Sequence, residues 1–206
     1  MANVLVLFAH PRTDRSVANT ALVEAAGDMK GVELIDLYGE YPDFDIDIDR
    51  EQQRLIDVDV LVLQHPVYWY SSPALLKEWQ DLVLEYGFAY GTGGTALTGK
   101  TMLQVATCGT ARDAYRKNGK YENELRTLFS PFEQTAKFCG MNYIAPFGVF
   151  AAEDAEEEGR LESIVADYAR LLGALRDETL NLEKAAAAPL MNDILDELLT
   201  SDAVAR

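Results

Sequence analysis

Val58-Asp59-Val60-Leu61-Val62-Leu63-Gln64-His65-Pro66-Val67-Tyr68-Trp69-Tyr70-Ser71-Ser72-Pro73 decides the architecture of this chain, because it changes character twice. Val58 to Leu63 is mostly apolar and β-branched, as a strand buried on both faces of a parallel sheet should be. An aromatic loop follows between Pro66 and Pro73. Leu75, Leu76, Trp79, Leu82 and Val83 then recur at helical spacing, with Ser72-Pro73 as cap and first turn and Gly87 as the stop.

Working outward, the same strand character recurs at Val4 to Ala9, Val32 to Leu37, Thr101 to Thr107 and Tyr143 to Phe150. Helical patterns fall near Ser16 to Met29, Asp49 to Ile56, Tyr121 to Cys139 and Gly159 to Arg176. This β-α alternation predicts right-handed crossovers and an α/β, doubly wound, five-stranded parallel sheet in the order 2-1-3-4-5. Composition shifts only near the end, where Lys184 and Ala185 to Ala188 lead into Pro189. Leu190, Met191, Ile194, Leu195, Leu198 and Leu199 then form an apolar stripe opposite Asp193, Asp196 and Glu197. The expected organisation is a main domain over residues 1–176 and a C-terminal helical extension over 177–206, packing on its own domain or on a partner subunit.

The 206 residues suit one generous domain or a domain with an appendage. With 49% apolar and 25% charged residues and no long charge-free stretch, no membrane insertion is expected. The start lacks a basic leader with a separate apolar region, so a cytoplasmic location is expected. A net charge of −16 repels nucleic-acid phosphate and anionic lipid, which removes both from the expected partners. Cys108 and Cys139 are far apart, without a C-x-x-C spacing, and the chain has two histidines. They read as reduced thiols, and no metal site is expected.

Two motifs mislead. Gly94-Thr95-Ala96-Leu97-Thr98-Gly99-Lys100-Thr101 matches the phosphate loop of nucleotide triphosphatases letter for letter. Such a loop follows a strand and opens a helix, whose N-terminal amides face the phosphates. Here it leads into a strand. Asp43, Asp45, Asp47 and Asp49 are spaced like the first ligands of a calcium loop, yet the sixth and twelfth positions hold Ile48 and Arg54 where glycine and glutamate are required.

Open parallel sheets bind ligands beyond the carboxyl ends of their strands, where loops converge. After the first strand come His10-Pro11 and Ser16-Val17-Ala18-Asn19, the latter at a helix start whose unpaired amides favour an anion. After the third come Tyr68-Trp69-Tyr70, suited to the edge and face of a flat heterocycle. After the fourth, Thr107-Cys108-Gly109-Thr110 lets the backbone approach closely at Gly109.

These motifs, with Tyr41-Pro42-Asp43-Phe44 and Gly87-Phe88-Ala89-Tyr90-Gly91 in the same order, resemble the FMN-dependent NAD(P)H:quinone oxidoreductases of flavodoxin-like fold. That family includes the ancillary flavoproteins of glutathione-regulated potassium efflux systems. The resemblance covers roughly Val4 to Arg176. It implies that His10, Ser16, Val17, Ala18 and Asn19 bind the FMN phosphate and ribityl chain. Pro66, Val67, Tyr68, Trp69 and Tyr70 would hold the isoalloxazine, and Thr107, Cys108, Gly109 and Thr110 its far edge. It further implies two-electron ping-pong hydride transfer from NAD(P)H to a quinone, and a homodimer with the active site at the subunit interface. A second implied reading is a regulatory FMN-binding subunit of a potassium efflux antiporter.

Three departures stand out. Tyr68 replaces the family's usual glutamine, Thr107-Cys108-Gly109-Thr110 replaces a T-T-G-G loop, and the expected catalytic histidine is absent, since only His10 and His65 occur. Tyr115 matches the family's active-site tyrosine. Lys120 and Tyr121 occupy the neighbourhood of the lost imidazole and are the candidates for its work.

Overall fold

The computed structural model describes residues 1–200. Four parallel strands, β1 (Val4–Phe8), β2 (Val32–Asp36), β3 (Val60–Pro66) and β4 (Thr101–Thr107), lie in the order β2-β1-β3-β4. Two short strands, β5 (Asn142–Tyr143) and β6 (Phe147–Val149), both pair with the outer side of β4. Val4 is level with Val32 and Val60, and Pro66 with Thr107, so β1, β3 and β4 end along one edge. The chain leaves β1 toward β2 on one side and later returns to place β3 on the other, which opens a crevice between the loops that follow β1 and β3.

Every residue of β1, β3 and β4 is buried, which accounts for their continuous apolar sequence. β2 is the partly exposed edge strand, so the expectation of five doubly buried strands fails there. One face packs against α1 (Val17–Gly27) and α7 (Leu161–Arg176), with Leu22, Tyr168 and Leu172 meeting Val6, Val62 and Val105. The other face packs against α3 (Ile48–Asp57), α4 (Ala74–Val83) and α6 (Ser130–Phe138), with Leu55, Leu76, Trp79 and Phe132 over Leu7, Leu61 and Leu63. Each such fully buried side chain contributes about 1.5–3 kcal/mol.

α3 and α4 share one buried carboxylate. Glu51 accepts from Tyr41 Oη at 2.7 Å and from Trp79 Nε1 at 2.9 Å, and it pairs closely with Arg54. A buried charge persists only when its oxygens are satisfied in this way. The short helix α2 (Leu37–Glu40), capped by Asp36, brings Tyr41 to this cluster.

Two expected elements are divided. The expected strand from Tyr143 to Phe150 is interrupted at Ile144-Ala145-Pro146, because Pro146 has no N–H and the Ala145 N–H donates to the Ala185 carbonyl instead, at 2.9 Å. The expected helix from Tyr121 to Cys139 is a turn followed by α5 (Leu125–Leu128) and α6, which restarts with Pro131 in its first turn.

The described part of the expected extension, residues 177–200, packs on its own domain, and residues 201–206 lie outside the described residues. α8 (Leu182–Ala187) and α9 (Leu195–Thr200) carry Ala185, Leu195 and Leu198 into the cluster of Tyr168 and Leu172, joined by Ala188 and Met191. The phosphate-loop look-alike precedes β4, and its Lys100 donates to the Ile56 carbonyl at 3.0 Å and closely to that of Val58. In the acidic stretch, Asp47 caps α3 by accepting from Arg50 N–H at 3.1 Å.

Candidate functional site

The three loops expected to converge do so. A cleft of about 540 Å³ is lined by His10, Arg12, Arg15, Ser16 and Val17 from the first, Pro66, Val67 and Tyr68 from the second, and Thr107, Cys108 and Gly109 from the third. Ala152 and Glu153 complete the wall.

At the β1 end, Ser16 caps α1, accepting from Asn19 N–H at 3.4 Å and from Asn19 Nδ2 at 2.9 Å. The amides that open α1 have no intrahelical acceptor, and the helix dipole adds positive potential there. Arg12 and Arg15 lie on the same side, so this end suits a phosphate. His10 Nδ1 accepts from Arg12 N–H at 3.0 Å, and burial lowers its pKa, which favours a neutral ring with its proton on Nε2.

Asn19 and Ala18 do not line the cleft; they are buried behind it. Asn19 Nδ2 donates to Thr107 Oγ1 at 2.8 Å, binding the first loop to the third. Asn19 Oδ1 is buried without a donor among the described residues.

At the β3 end, the Pro66–Val67 peptide is fixed at both poles. His65 Nδ1 lies 2.9 Å from the Pro66 carbonyl, and the Val67 N–H donates to the Thr107 carbonyl at 2.8 Å. His65 is fully buried against Phe129 and Phe132, and its Nε2 lies 3.0 Å from Gln104 Nε2. Gln104 Oε1 accepts from Tyr143 Oη at 2.8 Å. Desolvation pushes the His65 pKa down to about 4. A neutral imidazole protonated on Nδ1 satisfies both neighbours, so His65 holds the loop and does not face the cleft.

Tyr68 and Ser71 close a tight hairpin by exchanging backbone hydrogen bonds of 3.0 and 3.1 Å. Its two central residues, Trp69 and Tyr70, have φ of 49° and 65°. Left-handed backbone without glycine costs of order 1–3 kcal/mol per residue and gathers at functional sites. Trp69 is 93% exposed, and neither residue lines the cleft of this single chain. Among the described residues, the amides of Trp69, Tyr70, Gly109 and Thr110 donate no hydrogen bond, and of these Gly109 lines the cleft.

The remaining candidates sit behind the third loop. Tyr115 is buried between Phe150 and Tyr121, with ring centroids 5.5 and 5.0 Å away. Its hydroxyl lies against Cys108 and Thr110, and burial raises its pKa, so it stays protonated. Tyr121 Oη accepts from Thr110 Oγ1 at 3.1 Å, and its ring meets Tyr70 at 5.5 Å. Lys120 is exposed and places Nζ over the Tyr121 ring, 5.4 Å from the centroid. Cys108 and Cys139 are free and buried, and desolvation pushes the Cys108 thiol up to about 12, too high for a thiolate nucleophile.

Arg12, Arg15, Ala152 and Glu153 are absent from the sequence reading. The two arginines carried a signal, since they lie within the first β-α loop. Ala152 and Glu153 carried none, because they reach the cleft through pairing of residues 149–152 with 108–110.

The sequence profile of a family described as having the flavodoxin-like fold matches residues 2–172. The glutathione-regulated potassium-efflux system ancillary protein KefG of Serratia proteamaculans is 47% identical over 165 residues, 80% of this chain and 90% of that one. The general stress protein 14 of Treponema denticola, solved in complex with FMN, is 35% identical with a TM-score of 0.79, covering 84% of this chain and 99% of that one. An NADPH-quinone reductase from P. pentosaceus is 27% identical with a TM-score of 0.73, over 82% of this chain and 96% of that one. Among the described residues, no helix is long and apolar enough to cross a membrane.

Proposed function

The chain belongs to the flavodoxin-like family, and on that footing we propose that it is an FMN-dependent NAD(P)H:quinone oxidoreductase. The observation that carries this reading is the convergence of loops from β1, β3 and β4 on one cleft. That cleft holds Arg12, paired with Asp14, and Arg15 at the α1 end, and the undonated Gly109 amide at the other. The FMN complex of the Treponema relative and the reductase from P. pentosaceus support it.

The residues fit the cofactor end to end. Arg12, Arg15 and the start of α1 would hold the phosphate, and Asn19, behind the cleft, would brace that wall through its bond to Thr107. Val67 and Tyr68 would flank the ring, and the amides of Trp69, Tyr70, Gly109 and Thr110 would donate to its heteroatoms. The chemistry that FMN would supply there is two-electron hydride transfer between NAD(P)H and a quinone. Tyr115 and Tyr121 would supply hydroxyls beside the pyrimidine end, where negative charge would develop. Lys120, over the Tyr121 ring, adds positive potential without touching the cofactor. Thr110, bonded to Tyr121, links that pair to the loop.

The exposed, strained Trp69-Tyr70 hairpin supports a homodimer in which a second copy covers it and closes the site. The similarity to KefG favours a second reading, an ancillary subunit of a potassium efflux antiporter.

The test is anaerobic addition of NADPH to the FMN-loaded protein, followed by menadione. Loss of the flavin absorbance and its recovery support the oxidoreductase. Absent turnover, with co-purification of a membrane antiporter, supports the ancillary role.

A further inference from the structure

The C-terminal segment also touches the site loop. β6 ends the sheet at one edge, pairing with β4 on one side and, among the described residues, with no strand on the other. Edge strands leave backbone groups unpaired unless something covers them. Asn192 covers this one: the Gly148 N–H donates to Asn192 Oδ1 at 2.8 Å, and Asn192 Nδ2 donates to the Gly148 carbonyl at 3.0 Å. A side-chain amide carries the same donor and acceptor as a peptide, so Asn192 stands in for a neighbouring strand. Beside it, the Met191 N–H donates to the Pro146 carbonyl at 2.9 Å, and Arg126 Nη1 donates to the Ala186 carbonyl at 2.7 Å.

From β6 the linkage continues inward. The Cys108 N–H donates to the Val149 carbonyl at 2.8 Å, the Ala151 N–H to the Thr110 carbonyl at 2.9 Å, and the Ala152 N–H to the Cys108 carbonyl at 3.0 Å. Phe150, in the same stretch, packs on the Tyr115 ring. Asp193 also pairs with Arg112, three residues before Tyr115. The loop of Tyr115 is thus held from two sides by adjacent tail residues. Leu190, Pro189 and Asp193 form, with Tyr115 and Phe150, the walls of a second cleft of about 630 Å³.

We propose that Asn192 and Asp193 are positioning residues that fix the 108–116 loop, and with it Tyr115, for the reaction. They lie beyond the family profile, which ends at residue 172, so this chain braces its site with a segment outside the family core. The effect on rate rests on the role given to Tyr115; the effect on loop order does not.

The test uses the full-length protein with Asn192→Ala, Asp193→Asn and, as a control, Leu55→Ala. Leu55→Ala loses stability through a core cavity under α3, on the face of the sheet opposite the cluster of Phe147, Val149 and Met191. Amide hydrogen exchange over 108–116 should rise about tenfold in Asn192→Ala, the equivalent of one lost hydrogen bond, and less in Asp193→Asn. Reduction of bound FMN by NADPH should slow in step, while the control shows neither change. Unaltered exchange over 108–116 in Asn192→Ala overturns the proposal. So does raised exchange with an unchanged reduction rate, provided that Tyr115→Phe slows the reaction. Should Tyr115→Phe be silent, the role of Tyr115 fails, and the exchange result alone decides whether the tail fixes the loop.

Discussion

Asn19 on α1 and Thr107 at the end of β4, 88 positions apart in sequence, are joined by a hydrogen bond of 2.8 Å from Asn19 Nδ2 to Thr107 Oγ1. Ser16 Oγ, the cap of α1, accepts from the same nitrogen at 2.9 Å, so the buried Asn19 side chain ties that cap to β4. Replacing Asn19 with Ala leaves Thr107 and Ser16 without that donor. Removing a buried partner costs about 1–3 kcal/mol, so urea unfolding should show a loss in that range and FMN affinity should fall about tenfold or more by fluorescence titration.

The phosphate end is separable from the ring end. Charge-assisted hydrogen bonds contribute about 1.5–3 kcal/mol, so Arg15→Ala should weaken FMN binding roughly 10- to 100-fold while leaving riboflavin binding nearly unchanged. Paired titrations with the two flavins check this. Equal losses for both would place Arg15 away from the phosphate.

Tyr115 is buried, and its raised pKa keeps the hydroxyl protonated across the physiological range. Tyr115→Phe should therefore slow flavin reduction in stopped-flow mixing without abolishing FMN binding. The wild-type rate should show no alkaline limb from this group below pH 10, the ordinary tyrosine value, because the folded group titrates above it. Tyr121→Phe should slow the same step, and Lys120→Ala should have the smaller effect, since Lys120 acts only through the Tyr121 ring.

His65 supplies a pH signature of the fold. Its pKa is about 4 when folded and 6.5 when unfolded, so the unfolded chain binds the extra proton first as pH falls. The stability that this histidine contributes is complete above pH 6.5 and lost progressively down to about pH 4, in total roughly 3 kcal/mol. Urea unfolding at pH 7 and pH 5 should show the loss in the wild type and a smaller one in His65→Gln. An equal acid sensitivity in both proteins would assign it to other groups.

Periodicity made the central strands legible. Val4 to Phe8, Val60 to Leu63 and Thr101 to Thr107 are apolar because helices cover both faces of the sheet. Loops that directly follow those strands were equally legible, so His10, Ser16, Pro66, Val67, Tyr68, Thr107, Cys108 and Gly109 meet in the cleft as expected. What escaped depends on contacts distant in sequence. Pro146 splits the last strand because a tail carbonyl, that of Ala185, takes the neighbouring amide. Asn19 was expected among the residues at the cofactor and instead lies behind the cleft as a brace. His65 is indistinguishable in sequence from a cleft residue, and only its pairing with Gln104 and Pro66 turns it inward.

The most direct measurement is a titration of the purified full-length chain with FMN, followed by flavin absorbance and protein fluorescence. Convergence of the three loops on one phosphate-tolerant cleft predicts saturable uptake of one FMN per chain, weakened by Arg15→Ala and by Asn19→Ala. A chain that takes up no FMN, or takes it up equally well in both variants, would contradict the account.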